Sequence, residues 1–173
     1  MVSLGRLYTV LRIIFLNMRG AKIKIGRNTV ISRRASLIGN DIVLGDNCYV
    51  GCYTALDSSS GPIYIGRSTT FGRFCMVHGG VTVGDSVRIA SHVVIAPSDH
   101  KFMDRHVLIK AQGTLKKEVS IGSDVWLSAG VKVLSGSVID DGCVVGAGGV
   151  VKKHLEEYSV YVGVPVKKIS ERV

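Results

Sequence analysis

Proline and aromatic residues are scarce in this chain: of 173 residues, 3 are proline, and aromatic residues make up 6%. The sequence also lacks any run of about 18 or more apolar residues, which excludes a membrane-spanning helix. No C-x-x-C pair occurs among the 4 cysteines, so the usual zinc and redox motifs are missing. Glycine, at 21 residues, is plentiful. The composition predicts one domain with many turns around a thin, aliphatic core.

The charge balance is strongly basic, with a formal net charge of +9 and a pI near 9.6. The basic residues are scattered or terminal, and the single Trp and the 6 Tyr form no stacking stripe, so nucleic acid is not an expected partner. Lys116 and Lys117 are interpreted as solvated surface. A C-terminal cluster is a better candidate for binding a polyphosphate. It consists of Lys152, Lys153, Lys167, Lys168 and Arg172.

A repeat of six residues runs through most of the chain, roughly from residue 23 to residue 151. The repeated apolar positions are Ile65, Phe71, Val77, Val83, Ile89 and Ile95, followed by Ile121, Leu127, Val133, Ile139, Val145 and Val151. Four positions after most of them comes a small or β-branched residue, such as Thr69 or Val87. A helix would space its apolar residues three or four apart, and a half-buried strand would alternate them. The period therefore predicts short strands joined by tight turns, with two inward positions per repeat.

This pattern resembles the hexapeptide repeat of left-handed parallel β-helix proteins, in which three six-residue faces make one triangular coil and the coils stack by strand pairing. The resemblance implies an all-β fold: a left-handed parallel β-helix of hexapeptide repeats with a short N-terminal helix, one protruding active-site loop and a C-terminal tail. The expected boundaries are 1–20 for the helix, 21–155 for the β-helix with an inserted loop at about 97–118, and 156–173 for the tail.

The N-terminal segment, MVSLGRLYTVLRIIFLNMRGAK, lacks a small-residue cleavage site and carries Arg12 within its apolar part, so it is not interpreted as a signal peptide. It predicts a helix with one apolar face, formed by Leu4, Leu7, Leu11, Ile14 and Phe15. That face is expected to pack on the β-helix or on a neighbouring subunit. Contact with a membrane surface is the alternative, favoured by the basic residues Arg6, Arg12, Arg19, Lys22 and Lys24.

Three of the four cysteines share one phase of the repeat. Cys48, Cys75 and Cys143 fall at the small inward position, whereas Cys52 is expected on an outer surface or turn. Thiols buried in an aliphatic prism have no base beside them, so covalent cysteine catalysis is not expected. The pattern predicts a reduced, cytoplasmic chain.

The C-terminal part carries three motifs in order and in register: VWL at 125–127, VVGAGGVV at 144–151 and VGVPVK at 162–167. Together they resemble the acetyl-CoA-dependent O-acetyltransferases, which include the galactoside and maltose acetyltransferases and the enzymes that decorate bacterial surface polysaccharides. The resemblance implies that acetyl-CoA is the acyl donor. Its binding residues would be Trp126, Ala129, Gly146, Ala147, Lys152, Lys153 and Lys167.

Each of these residues has an expected role. The backbone of Ala129 and Ala147 would bind the pantetheine arm, and Gly146 would let that arm approach closely. The three lysines would lie beside the nucleotide end of the coenzyme. Trp126 would line the active-site wall or a subunit interface. Backbone N–H groups between Trp126 and Ala129 are candidate donors to the oxyanion of the reaction.

The repeat is broken by SDHKFMDRHVLIKAQG at 98–113, which resembles the catalytic loop of the surface-polysaccharide branch. The resemblance places His100 at the catalytic position, where a neutral imidazole would take the proton of a sugar hydroxyl as it attacks the thioester. Asp99 and Asp104 are alternative partners for orienting the His100 ring. His78 and Asp57 are candidate acceptor-binding residues.

The same resemblance implies a homotrimer whose active sites are shared by neighbouring subunits, with coenzyme A and a sugar or glycan as partners and no metal. The expected location is cytoplasmic, or peripheral to the inner face of the membrane. Three alternatives stay open. They are an N-acetyltransferase acting on an amino sugar, a γ-carbonic-anhydrase-like zinc enzyme using His78, His100 and His106, and a non-catalytic scaffold.

Overall fold

The structure is a computed structural model that describes residues 4–18 and 20–173. Within that range one α-helix, α1 (Leu4–Met18), precedes a succession of short strands, and three consecutive strands make one coil. The first coil contains β1 (Lys22–Ile25), β2 (Val30–Ile31) and β3 (Ser36–Ile38), and the second contains β4 (Asp41–Leu44), β5 (Tyr49–Val50) and β6 (Ala55–Asp57).

The later coils repeat this arrangement. The third contains β7 (Ile63–Ile65), β8 (Thr70–Phe71) and β9 (Met76–His78), and the fourth contains β10 (Val81–Val83), β11 (Arg88–Ile89) and β12 (Val94–Ala96). An antiparallel pair, β13 (Ser98–His100) and β14 (Thr114–Lys116), lies in the loop that follows. The fifth coil contains β15 (Val119–Ile121), β16 (Trp126–Leu127) and β17 (Lys132–Leu134), and the sixth contains β18 (Val138–Ile139), β19 (Val144–Val145) and β20 (Val150–Val151). The last strands are β21 (His154–Leu155), β22 (Ser159–Gly163) and β23 (Val166–Glu171).

Equivalent strands of successive coils pair in parallel and form three sheets. Sheet A contains β1, β4, β7, β10, β15, β18 and β21, sheet B contains β2, β5, β8, β11, β16, β19, β22 and β23, and sheet C contains β3, β6, β9, β12, β17 and β20. The register does not shift across the inserted loop, because Ile63, Val81 and Val119 lie opposite one another in successive coils of sheet A. At the end of sheet B, β23 runs antiparallel to β22.

The core is the aliphatic interior of this triangular prism. Every member of the predicted six-residue series from Ile65 to Val151 is at most 3% exposed. Ile25, which belongs to the first coil, is partly buried and packs against the core from the end of the stack. The stack confirms the predicted left-handed parallel β-helix of hexapeptide repeats.

Many turn residues that precede a small inward residue have a left-handed backbone, and Ser86, with φ of 60°, is one of them. Serine is sterically strained in this conformation and glycine is not. Relief of that strain should stabilise the fold by more than the extra conformational entropy of glycine in the unfolded chain destabilises it. We expect Ser86→Gly to raise the free energy of unfolding by about 0.5 to 1 kcal/mol, measured by denaturant titration. The Ser86→Ala control keeps the strain and should show no gain. An equal gain in both variants would contradict the argument.

The helix α1 closes the first coil. Thr9 Oγ1 accepts a hydrogen bond from the Ile31 N–H at 3.2 Å, and the Asn17 side chain pairs with both backbone groups of Ile23 at 2.9 Å. Ile13 and Leu16 pack against the core. Four side chains of the predicted apolar face do not pack on the β-helix in the single chain, where they are more than half exposed: Leu7, Leu11, Ile14 and Phe15. The side chain of Leu4 lies outside the described residues.

In the part of the chain that the structure describes, no helix has the length and apolar character needed to cross a membrane.

Candidate active site

A loop leaves the stack after β12 and returns at β15, so it occupies residues 97–118. Its stem is the β13–β14 pair, in which His100 lies opposite Thr114. Beside the stem is an open cavity of about 590 Å³ whose lining includes Asp99, His100, Phe102, Asp104, Gln112 and Leu115. The imidazole is therefore held at the end of a short strand, next to a space that can take a substrate.

The Gln112 side chain holds the tip of this loop. Its amide nitrogen donates to the carbonyls of Asp104 at 2.8 Å and Val107 at 2.7 Å, and its amide oxygen accepts from the Asp104 N–H at 3.1 Å. Asp104 Oδ1 accepts from the His106 N–H at 2.9 Å, which places this carboxylate in the turn. Within the described residues no carboxylate is hydrogen-bonded to the His100 ring, so the structure does not choose between the two candidate partners of His100.

Asp57 and His78 lie opposite each other on the outer face of sheet C. Hydrogen bonds from the side chain and backbone of Ser59, with a smaller contribution from His78, hold the pKa of Asp57 below its usual value, because they favour the charged carboxylate. One coil higher, the register places Ala96, the residue from which the loop departs, above His78. The two predicted acceptor residues are thus adjacent to each other and lie beneath the base of the loop.

The B–C corner is the edge at which sheet B turns into sheet C, and its turns are residues 32–35, 51–54, 72–75, 90–93, 128–131 and 146–149. In the third coil, the N–H of Arg73 donates to Ser91 Oγ, one coil higher, at 3.2 Å. The next two coils have Ala129 and Ala147 at this position, and alanine has no acceptor oxygen. In the described chain the N–H groups of Ser91, Ala129 and Ala147 have no acceptor. Alanine therefore leaves a row of open backbone donors.

An open acceptor completes this row. The carbonyl of Ser91 accepts from the Gly130 N–H at 3.0 Å, and that of Ala129 accepts from the Gly148 N–H at 2.8 Å. The carbonyl of Ala147 has no such partner among the described residues, because no coil continues above it at this corner. Gly148 has φ of 69°, and an added Cβ would meet nothing within 4 Å. The corner is therefore an unobstructed edge that can bind an extended chain carrying amide groups.

Cationic side chains lie near the same end of the stack. Lys168 is ion-paired with Glu156 at 3.3 Å and with Glu171 at 2.9 Å. The three lysines predicted at the nucleotide end have no carboxylate partner in the described chain, and these are Lys152, Lys153 and Lys167. Their charge is therefore available to an anionic ligand.

A family model described as bacterial transferase hexapeptide (six repeats) matches residues 62–97 and 118–153. Galactoside O-acetyltransferase of Escherichia coli K12 is 31% identical over 144 residues, which are 82% of this chain and 70% of that protein. The chain belongs to the hexapeptide transferase family. The resemblance that the motifs predicted is thereby confirmed, and this hexapeptide transferase is an acyltransferase.

The similar proteins differ in how much of their length this chain spans. Probable acetyltransferase Rv3034c of Mycobacterium tuberculosis is 33% identical over 131 residues, and the chain spans 44% of the length of that protein. Among solved structures, the N-acyltransferase AntD from Bacillus cereus, in complex with dTDP and 3-hydroxybutyryl-CoA, superposes with a TM-score of 0.80. The two chains are 26% identical, and the superposition covers 92% of this hexapeptide transferase and 88% of AntD.

Gly146 has a packing role in this hexapeptide transferase. A Cβ at this position would lie 2.7 Å from Val162 Cγ1, on the strand of the tail hairpin that crosses above it. Val162 lies opposite Lys167 in that hairpin. Glycine at 146 therefore lets the tail settle on the sixth coil, which brings Lys167 to the end of the B–C corner.

Trp126 projects outward from sheet B and is 51% exposed. It borders a groove of about 440 Å³ that also contains Tyr49, Thr70 and Arg88, which occupy the equivalent position in the three preceding coils. The side chain therefore forms part of an outer wall, as either of its two predicted roles requires.

Fewer backbone N–H groups between Trp126 and Ala129 are available to an oxyanion than the sequence analysis predicted. The N–H groups of Trp126 and Ser128 donate to the carbonyls of Cys143 and Val145, each at 2.9 Å, so stacking of the sixth coil on the fifth already uses them. The N–H of Ala129 is open, as described above.

Two features of the B–C corner were not predicted. Lys132 Nζ donates to the Gly130 carbonyl at 3.1 Å, which places an ammonium group beside the open donors. Below them, Tyr53, Phe74 and His92 form a stacked column with ring centroids 5.0 and 5.1 Å apart. A signal was present in the sequence, because each ring residue directly precedes a small inward residue and so shares one turn position.

The buried thiols of Cys75 and Cys143 are not arranged for covalent catalysis. Burial raises the pKa of the Cys75 and Cys143 thiols, because desolvation disfavours the thiolate. Both sulfurs donate to backbone carbonyls, at 3.1 Å to Ala90 and at 2.9 Å to Glu156. A protonated thiol is a poor nucleophile.

A zinc site has no ligand set in the described part of the chain, where no group of three or more His, Cys, Asp or Glu side chains could hold a metal ion. His106, one of the three ligands considered for the zinc alternative, lies in the loop turn, where its Nε2 accepts from Arg105 Nε at 3.2 Å.

Proposed function

We propose that this hexapeptide transferase moves an acetyl group from acetyl-CoA to a hydroxyl of a sugar or surface-polysaccharide unit by direct transfer, with His100 as general base. The observation that carries the proposal is the B–C corner. It offers open N–H groups and one open carbonyl, has no obstructing side chain at Gly148, and leads to three lysines without a carboxylate partner in the described chain. The pantetheine arm of the coenzyme carries amides along its length, which the open backbone groups can bind. The far end of the coenzyme carries phosphates, which the lysines can bind.

The reaction requires a base but no enzyme nucleophile. The acceptor oxygen attacks the thioester carbonyl carbon while the His100 imidazole takes the hydroxyl proton. The intermediate then breaks the C–S bond, and the proton passes from the imidazolium to the coenzyme thiolate. Asp57 and His78 would bind the acceptor from beneath the loop, because a carboxylate and an imidazole suit the hydrogen bonds of sugar hydroxyls.

A homotrimer with shared active sites belongs to the same proposal. Four apolar side chains of the loop are more than half exposed in the single chain, and they are Phe102, Met103, Leu108 and Ile109. A protruding apolar loop of this kind is typical of a surface that another protein covers. A neighbouring subunit that covers it would bring its own B–C corner towards His100. The four free cysteines support a reducing, cytoplasmic location.

A second candidate is transfer to the amino group of a nucleotide-linked sugar. The similarity to AntD favours it, because AntD is an N-acyltransferase whose structure holds dTDP and an acyl-CoA, and the superposition covers most of both chains. An amine needs the same base to remove a proton, so the geometry at His100 serves either acceptor.

A thiol-release assay distinguishes these functions. With acetyl-CoA and a panel of sugars and glycan fragments, we expect coenzyme A to be released when a hydroxyl acceptor is present and not when the acceptor is omitted. Each hydroxyl sugar is matched with its amino-sugar counterpart as the control. Release with the amino sugars alone would establish the second candidate, and the absence of both release and acetyl-CoA binding would contradict the proposal.

A further inference from the structure

The outer face of α1 carries apolar side chains that are exposed in the described chain. Leu11 is 58% exposed and Met18 is 81% exposed, and Leu7 and Ile14 lie on the same side of the helix. The opposite side holds the helix to the stack through Thr9, as described above. The fold therefore presents a helical apolar surface at the end of the first coil.

The net charge of the chain is concentrated around this helix. Of the 22 Lys and Arg residues, 8 precede Asp41, whereas none of the 13 Asp and Glu residues does. Beyond residue 40, the 14 remaining basic residues and the 13 acidic residues nearly cancel. The eight basic residues are Arg6, Arg12, Arg19, Lys22, Lys24, Arg27, Arg33 and Arg34.

Several of these cations lie around α1 at the first coil. Lys22 and Lys24 are exposed on β1, the edge strand of sheet A, and Arg33 lies in the turn after β2 with its guanidinium 5.7 Å from the ring of Tyr8 on α1. Arg12 donates to the Ala35 carbonyl and Arg27 is ion-paired, so these two serve the fold. The side chain of Arg6 and the whole of Arg19 lie outside the described residues.

We propose that α1 docks this end of the protein on an anionic membrane surface. An amphipathic helix of 15 residues is too short to span a bilayer but can lie in the headgroup region with its apolar face in the acyl boundary. The surrounding cations match anionic headgroups. A second copy of the same face fits less well, because two cationic faces repel each other.

Docking in this orientation would place the acceptor-binding residues close to the membrane. This consequence rests on the proposed function. Asp57 and His78 belong to the second and third coils, so they lie only about 5 to 10 Å along the stack from the first coil at the usual strand spacing. A glycan anchored in the same membrane would reach them.

Co-sedimentation of the full chain with lipid vesicles tests the proposal. We expect binding to vesicles that contain about one third phosphatidylglycerol, weaker binding when the salt concentration is raised, and little binding to pure phosphatidylcholine. The double variant Leu11→Glu, Met18→Glu should bind at least about tenfold more weakly, because it places two charges in the apolar face. The matched control is Ile169→Glu, at a 60% exposed position on β23 at the other end of the stack, and it should bind like the wild type.

Equal binding by the double variant and the wild type would overturn the proposal, and so would failure of the wild type to bind anionic vesicles. If the double variant instead changes the sedimentation mass of the protein without lipid, the face is a subunit contact and the proposal is wrong. Thiol release with a soluble acceptor should be the same in all three proteins. Loss of vesicle binding with normal thiol release therefore separates this inference from the proposed function.

Discussion

Replacing His100 with alanine should lower kcat by about 10²- to 10⁴-fold, the usual contribution of a general base. The sugar hydroxyl is a weak nucleophile until its proton is removed, and His100 is the one imidazole on the β13–β14 stem, all of whose residues the structure describes. The stem itself should persist, because His100 is paired there through its backbone. The effect is measured as kcat for thiol release at saturating acetyl-CoA and acceptor.

The matched control is His106→Ala, because His106 lies in the same loop and its contact with Asp104 is made by its backbone N–H. We expect this variant to keep most of the activity. Circular dichroism and coenzyme binding should be unchanged in both variants. Full activity in His100→Ala, or an acetylated residue that accumulates when the acceptor is withheld, would contradict direct transfer.

The double variant Lys153→Ala, Lys167→Ala should raise the apparent KM for acetyl-CoA. Charge-assisted contacts with phosphate groups stabilise binding by about 1 to 3 kcal/mol, which corresponds to about a 5- to 150-fold increase in KM. The difference from the wild type should shrink as salt is added, because salt screens exposed charges. The measurement is a titration of acetyl-CoA at fixed acceptor, repeated at low and high salt.

Lys168→Ala is the control for this pair. Lys168 neighbours Lys167 in the chain, but its ammonium group is already paired with two glutamates. Its removal should therefore change KM little. An unchanged KM in the double variant would remove the tail from the coenzyme site, whereas an equal increase in the control would show that the tail is needed only for folding.

The coil stack could be predicted from the sequence because one local rule sets it. An apolar residue such as Phe71 or Leu127 occupies an inward position, and the next inward apolar residue follows six residues later. The loop could be predicted for the same reason, since the six-residue series of apolar residues stops at Ile95 and begins again at Ile121. Neither inference requires knowledge of residues that are distant in the chain.

The candidate site depends on contacts between coils, and the sequence predicts such contacts less well. The N–H of Ala129 is open because residue 147 is also alanine, and the N–H of Trp126 is closed because Cys143 lies above it. The direction faced by α1 is a further example. The apolar periodicity predicted a face that packs on the β-helix or on a neighbouring subunit. Within the single chain, Thr9 and Asn17 hold the helix to the stack by hydrogen bonds and leave Leu11 exposed.

A parallel stack of coils has no intrinsic length, because each coil offers the next one the same unpaired strand edges. Growth stops at one end where β23 turns back against β22 with Lys167, Lys168 and Glu171 on the outermost strand. At the other end α1 lies across β1 and β2. Charged edge strands and covering helices are known means of preventing edge-to-edge addition. A chain that lost either cap would expose a template on which a second chain could continue the stack, so the two caps also keep this repeat protein from growing into a filament.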